Sequence, residues 1–472
     1  MLKRLFCLLL SFLLLSLALA ACGSVDPNPE DGSQSPASSQ ESGQSEPEGS
    51  TDPAPATEPA TEPAAEPGEL IPPEKPAYEK EYAAPEDGSF TICGVPLSEY
   101  TQVLYWNGNS DYAKLDFRKV RDGLTDLTTS ATGLELTLKV VRNERMFEKK
   151  EYEHEILFGT GFVRDGIPET NLKKNYYGVT EDGTVYFSSP SYMLYPYLWQ
   201  LFLEEFCGVP VGSGERSGGC EIGPCYRELQ TLDTAVLEAQ GYSKVFDDEF
   251  DGEELNLDVW ETVSNGPRRE GYNAPSQVSV EDGKLILRGQ YLTEGEFGEG
   301  WYGVMLGLKQ RYCRGYFEAS IKCSENMGRG YGDFWSAFWI EGPSPYVGED
   351  SQGGIGPGGA ELDILELFGD GVTNCIWVSG VEGVEGLSAE VCEIHKIGDN
   401  YSEEFHTYAM LWDENYYRIY LDGMLITCTN HAYGTSRVEE QVLITMETAN
   451  GYVIPTDTVR EMQVEYLRIW QR

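Results

Sequence analysis

Glu361-Leu362-Asp363-Ile364-Leu365-Glu366 places three carboxylates within six residues of an otherwise apolar segment. On a regular strand, alternation puts Glu361 and Asp363 on one face and Glu366 on the other. One extra residue, a β-bulge at Ile364-Leu365, returns Glu366 to the face of the other two. On a helix the three positions would not share a face. Carboxylates crowded on one face resist ionising together, so one can stay ionised while its neighbour keeps a proton near neutral pH. Retaining glycoside hydrolysis needs such a pair, about 5–5.5 Å apart. A calcium site or a solvated acidic strand would use the same residue types, so the trio alone leaves the choice open.

The surroundings narrow it. FDDEFDGEELNLDVW (246–260), GYFEASIK (315–322), FWSAFWI (334–340), ELDILE (361–366), FHTYAMLW (405–412) and VEYLRIWQ (464–471) follow one another in this order. Together they resemble family 16 of the glycoside hydrolases, in its laminarinase-like branch, over essentially all of 244–472. The resemblance implies a concanavalin A-like jelly-roll sandwich with a cleft across its concave sheet. It implies endo-acting, retaining cleavage of a β-linked polysaccharide, most often β-1,3- or mixed β-1,3-1,4-glucan, with no required cofactor. By position it makes Glu361 the nucleophile, Glu366 the general acid/base and Asp363 the hydrogen-bonding neighbour that helps set the protonation of Glu361. The same fold acting on xyloglucan or a marine galactan, or a carbohydrate-binding protein without turnover, are the competing readings. The intact glutamate pair argues against the last.

Sugar rings have apolar faces that aromatic rings cover. Trp335 and Trp339 share a face of one strand. Trp335 fits a sugar platform, and Trp339 divides between cleft edge and core. Tyr331, Trp301, Tyr272 and Asn273 lie in segments that would border the cleft, and Arg311 is either a donor to sugar hydroxyls or a surface charge. Two positions depart from the family pattern. Trp377 stands where many members carry a His, which leaves it as an alternative stacking residue. Glu465 stands where an Asp commonly binds calcium, so a structural calcium is left open. His406 reads as structural.

These groups need a scaffold. Residues 241–472 alternate with period two. Tyr417 to Leu421 and Met424 to Cys428 flank Asp422-Gly423, a two-residue hairpin signal. Many strands without intervening helices predict a sandwich or jelly roll. Residues 89–240 read instead as a small accessory α/β domain. Its strands are expected near 101–106, 136–141, 155–159, 176–180 and 184–188. Its helices are expected over 113–127 and 193–206. SEYTQVLY, ATGLELTLKVV, HEILFGT and DGTVYFSS resemble the small α/β domains that precede the catalytic domains of bacterial α-glucuronidases and β-hexosaminidases.

The 472 residues carry a formal net charge of -44, which disfavours nucleic acid and anionic lipid surfaces as partners. Lys3 and Arg4 precede an apolar run that ends Leu19-Ala20-Ala21-Cys22, a signal peptide over 1–21 that resembles a bacterial lipobox. The resemblance implies cleavage before Cys22 and lipidation of its thiol, tethering a monomer to the outer face of a bacterial membrane. Residues 22–88, rich in Pro, Ser, Thr and Glu, then form a self-repelling spacer. More than half of the negative charge falls in 241–472, which favours a neutral glucan over sulfated or uronic-acid polymers. Of the 11 cysteines, Cys220 and Cys225 could close a small loop; otherwise the spacings read as thiols.

Overall fold

The computed structural model describes residues 89–106, 111–142, 144, 147–207, 219–325, 333–343, 359–368, 371–379, 387–395, 400–429, 434–448 and 454–472. Tyr331 and Cys22 lie outside them.

The first layer is a six-stranded sheet of β1 (Thr101–Tyr105), β2 (Thr137–Val141), β3 (Glu155–Phe158), β4 (Tyr176–Val179), β5 (Val185–Ser188) and β6 (Cys225–Glu228). The order is β2-β1-β3-β5-β4-β6. The pairs β2–β1, β1–β3 and β3–β5 are parallel; β4 is antiparallel to β5 and β6. Strands β3, β4 and β5 are buried along their length, as expected of a sheet covered on both faces. Helices α1 (Asp111–Thr132), α2 (Tyr195–Cys207) and α3 (Thr234–Ala239) accompany it. Trp199 of α2 is fully buried and donates to Thr128 Oγ1 of α1 at 2.9 Å, locking the two helices together. No disulfide joins Cys220 to Cys225.

The second layer is a sandwich. Its strands, in chain order, are β7 (Ser243–Asp248), β8 (Trp260–Thr262), β9 (Gly266–Arg268), β10 (Gly271–Asn273), β11 (Val278–Glu281), β12 (Lys284–Gly295), β13 (Gly298–Tyr312) and β14 (Gly315–Lys322). They continue with β15 (Phe334–Glu341), β16 (Glu361–Phe368), β17 (Gly371–Ser379), β18 (Leu387–His395) and β19 (His406–Trp412). The last are β20 (Tyr417–Leu421), β21 (Met424–Thr429), β22 (Glu440–Thr448) and β23 (Val459–Gln471). One face is ordered β8-β13-β22-β15-β16-β17-β18. The opposing face is ordered β11-β12-β23-β14-β19-β20-β21, with β7 beside the end of β23. The 15-residue β13 belongs to both, pairing with β12 at one end and β22 at the other, and so nearly closes the sandwich.

Alternation builds the core. Phe338, Ile340, Leu362, Leu367, Ile376, Ile444 and Met446 point between the faces, with Phe317, Met410, Ile419 and Ile469 opposite them. Buried indoles keep a partner for their N–H: Trp260 donates to Asp248 at 2.8 Å and Trp412 to the Ser436 carbonyl at 3.1 Å. That explains the acidic and Trp positions of two recognised segments.

The two layers share a second core. Tyr316, Ala409, Leu411, Tyr420, Leu425 and Trp470, on the outer side of the β23-β14-β19-β20-β21 face, pack into the same cluster as Leu104, Phe158, Phe187, Leu198 and Trp199. Asn175 Nδ2 donates to the Leu425 carbonyl at 2.7 Å, and Leu232 N–H to the Gly423 carbonyl at 2.9 Å. The β20–β21 turn has Asp422 at φ 50° and Gly423 at φ 75°. These left-handed values are those of the two-residue hairpin turn expected there. A Cβ at 423 would stand 2.5 Å from Thr231 Cγ2, so glycine also allows the layers to meet. Helix α1 additionally lies along the edge strand β18.

Candidate active site

Strand β16 pairs with β15 and β17, and both ladders slip at the same place. Against β15, Asp363 faces Trp339 and Leu365 faces Phe338, leaving Ile364 as the extra residue. Against β17, Asp363 faces Cys375 and Glu366 faces Thr373. The bulge therefore puts Ile364 and Leu365 both in the core. Glu361, Asp363 and Glu366 are left on the opposite side of the sheet. Asn374 pins the distortion by donating its amide to the Ile364 carbonyl while Thr427 donates to its oxygen at 3.2 Å.

The neighbouring strands present the same side by alternation: Trp335, Ala337, Trp339 and Glu341 from β15, Cys375 and Trp377 from β17, and Leu443, Thr445 and Glu447 from β22. Trp339 is thus a residue of the cleft floor, beside Asp363 and outside the main core. It packs with Met305, Ala337 and Leu443 and donates to Thr445 Oγ1 at 3.3 Å. Trp335 is half-buried, with the Arg269 guanidinium carbon 4.3 Å from its ring centroid. Trp377 pairs with Glu361 across the ladder, and its indole N–H donates to the Asp363 carboxylate.

Burial first, and then mutual repulsion, shapes the charge of the row. Glu361 is pushed up by burial, then by Glu341 and Glu366. Asp363 is pushed well up by burial, then by Glu366 and Glu361, against the pull of the Trp377 N–H. Glu366 is pushed up by burial, with Arg269 pulling it back and Glu447 adding to the rise. Glu341 rises by burial too. Such a row keeps protons near neutral pH and can give one up while an adjacent carboxylate is ionised.

Glu447 is the exception. Burial pushes it up, but Arg268 and Arg269 outweigh that and hold its carboxyl below the usual range. Arg268 Nε lies 2.7 Å from Glu447 Oε1, and Arg269 Nε 3.6 Å from Oε2.

The match to known proteins agrees with this geometry. Residues 269–450 match the model of Glycosyl hydrolases family 16. This segment is a family 16 domain. A glucan endo-1,3-beta-glucosidase A1 of Niallia circulans is 22% identical over 273 residues, 49% of this chain and 38% of that one. A beta-glucanase of Acetivibrio thermocellus is 32% identical over 155 residues, 32% of this chain and 38% of the relative. The chain thus spans well under half the length of these curated relatives. Among solved structures, a LamA variant from Z. galactanivorans crystallised with laminaritriose and laminaritetraose is 20% identical, with a TM-score of 0.40, covering 48% of this chain and 99% of that one.

Within the family 16 domain, several expected cleft residues occupy other places. Asn273 is fully buried and donates to Glu447 at 3.3 Å, so it braces a side chain of the site. Arg311, by contrast, stays on the cleft side: exposed near the end of β13, it faces Gln441, which faces Glu341, reaches Gln441 at 3.5 Å and draws the Glu341 carboxyl down. Trp301 is buried against Phe334 in the core, and Tyr272 packs on Phe297 and Tyr302. The position read for calcium, Glu465, accepts the Ser320 hydroxyl at 2.7 Å. Among the described residues no group of three metal-ligating side chains occurs. His406 pairs with Asp422 at 2.8 Å. Glu341, Glu447, Arg268 and Arg269 were missed. The first two were accessible from alternation alone, since 335, 337, 339 and 341 share a face, as do 443, 445 and 447.

Proposed function

We propose that the protein is an endo-acting, retaining glycoside hydrolase that cleaves neutral β-1,3- or mixed β-1,3-1,4-glucan on the outer face of a bacterial membrane, tethered through a lipidated Cys22. The observation that carries the reading is the bulged β16, which sets Glu361, Asp363 and Glu366 on one face between Trp339 and Trp377. The curated relatives, a glucan endo-1,3-beta-glucosidase and a beta-glucanase, support the substrate class.

In this reading Glu361 attacks the anomeric carbon while Glu366 protonates the departing sugar oxygen. Glu366 then deprotonates the water that releases the glycosyl-enzyme. The proton-rich row supplies the acid, because a carboxyl surrounded by carboxyls holds its proton near neutral pH. Asp363, steadied by the Trp377 N–H, hydrogen-bonds the nucleophile. Trp335 and Trp339 supply apolar surface to sugar faces.

The test uses the chain from Cys22 onward. Laminarin, mixed-linkage glucan, xyloglucan, agarose and carrageenan are each incubated with it, and reducing ends are counted beside Glu361→Gln and Glu366→Gln. Product from the first two, retained anomeric configuration by NMR, and a loss of about a thousandfold or more in each variant are expected. Binding without product would make this a carbohydrate-binding protein instead. Inverted product would overturn the double-displacement mechanism. Labelling of the full chain by a fatty-acid probe, abolished in Cys22→Ser, checks the anchor.

A further inference from the structure

Arg269 sits where its backbone is uncomfortable. It occupies the two-residue tip of the β9–β10 hairpin, in which Arg268 pairs with Gly271, and its φ is +54°. Glycine or asparagine is the usual occupant of such a position. The hairpin is also tightly seated: Thr448 Oγ1 donates to the Arg268 carbonyl at 3.1 Å, and a Cβ on Gly271 would meet the Trp301 carbonyl at 2.5 Å. A strained residue on a fixed hairpin directs attention to its side chain.

That side chain is aimed at the acid/base corner of the site. The guanidinium lies over the Trp335 ring, 4.3 Å from its centroid. Trp335 faces Glu447 across the ladder and is two residues from Ala337, which faces Glu366. Residues diagonal to one another on a sheet are within reach of long side chains. Glu447 is the hub: its side chain is 4% exposed and it takes Arg268 Nε at 2.7 Å, Arg268 Nη2 at 3.4 Å, Arg269 Nε at 3.6 Å and Asn273 Nδ2 at 3.3 Å.

We propose that Glu447 is a positioning residue that grips Arg268 and Arg269, and that Arg269, held over Trp335, stabilises Glu366 in its ionised form. The proposal rests on the acid/base role given to Glu366 above. As Glu361 bonds to the anomeric carbon and the bond to the leaving oxygen breaks, the proton of Glu366 passes to that oxygen. Negative charge therefore leaves Glu361 and arrives on Glu366. Across the ladders Glu366 faces Ala337 of β15 and Thr373 of β17, and the charged groups that act on it among the described residues are Glu361 and Asp363 on its own strand, Glu447 from β22 and Arg269 from the hairpin. Of these only Arg269 carries the charge that stabilises the arriving carboxylate, and its electrostatic pull on Glu366 has that sign.

The experiment reads Glu366 directly. In the mature full-length protein labelled with 13C at glutamate carboxyls, the Glu366 resonance is identified by its loss in Glu366→Gln and titrated against pH. Arg269→Met and Arg269→Gln should each raise its midpoint by about one pH unit or more, and Arg269→Lys should restore most of the difference. The alkaline limb of kcat/KM on laminarin should move with it, and kcat should fall about tenfold. In a Glu447→Gln background, Arg269→Met should add little, because the guanidinium is no longer held. An unmoved midpoint, an equal effect of Arg269→Met with and without Glu447, or a rise in KM alone would overturn the proposal. The titration needs no turnover. A wild-type protein that cleaves nothing would sink the hydrolase reading while the titration still judged the arginine.

Discussion

One of the two residues that depart from the pattern the sequence resembles has a partner in the acidic row. Trp377 stands where a histidine is common, and its ring N–H reaches Asp363, the middle member of the acidic row. A donor to that carboxylate is what the site requires there, and an indole supplies one as an imidazole can. Trp377→Phe keeps an aromatic ring and removes only the N–H. The loss of a hydrogen bond to a carboxyl that burial keeps largely protonated costs about 0.5–1.5 kcal/mol, so kcat should fall roughly two- to tenfold. Trp377→His should recover most of it. Steady-state kinetics on the preferred glucan decide this, and equal activity of the Phe and Trp forms would leave Trp377 with a stacking role alone.

At the scale of the element, β16 shows what a single sequence can convey. The bulge was legible because only an extra residue lets three acids share a face while Leu362, Ile364, Leu365 and Leu367 share the core. The Asp422-Gly423 turn was legible because left-handed backbone needs those residue types. The arginine pair was not legible. Arg268 and Arg269 meet Glu447 only through the β13–β22 register and the seating of the β9–β10 hairpin, almost 180 residues away in the chain. Asn273 failed for the same reason: its type and location suited a cleft, but the register turned it onto Glu447.

The approach to β16 has its own strut. Glu440, fully buried at the start of β22, accepts the Ala360 N–H at 2.9 Å and the Ser436 hydroxyl at 2.5 Å, and so fixes the residue just before Glu361. Burial pushes its carboxyl up to about 8. A folded-state value above the unfolded one means that the folded chain holds a proton the unfolded chain has lost. The contribution is complete below the ordinary glutamate range and disappears as pH rises through about 8. Resistance of the wild type to urea should therefore weaken between about pH 4.5 and 8. Glu440→Gln, which cannot ionise yet can still accept from Ala360, should make that part of the profile shallower, the raised carboxyls of the acidic row supplying the remaining slope. A profile unchanged by the substitution would show that Glu440 is not its source.

At the scale of the whole molecule, the α/β layer and the sandwich share one core cluster. Alternation on β14, β19, β20 and β23 gives each strand two apolar faces, one for the sandwich interior and one that carries Tyr316, Leu411, Tyr420 and Trp470 to the helices and sheet of the other layer. A free-standing sandwich would expose that second face, an apolar patch of the kind soluble monomers rarely present. The boundary at 240 is thus a change in secondary structure without a gap in the core. Residues 241–472 expressed alone should aggregate or bind a hydrophobic dye, whereas the mature chain should unfold in one calorimetric transition. Leu411→Asp isolates the interface, since it buries an unpaired carboxylate between the layers on the side away from the acidic row. It should cost several kcal/mol and lower the single transition for both layers together, with kcat per folded molecule unchanged. Two separated transitions, or a stable soluble 241–472, would mean that the layers fold independently and that the shared core is a docking contact. One transition would mean that the two layers fold as a single cooperative unit, with the shared core contributing to the stability of both.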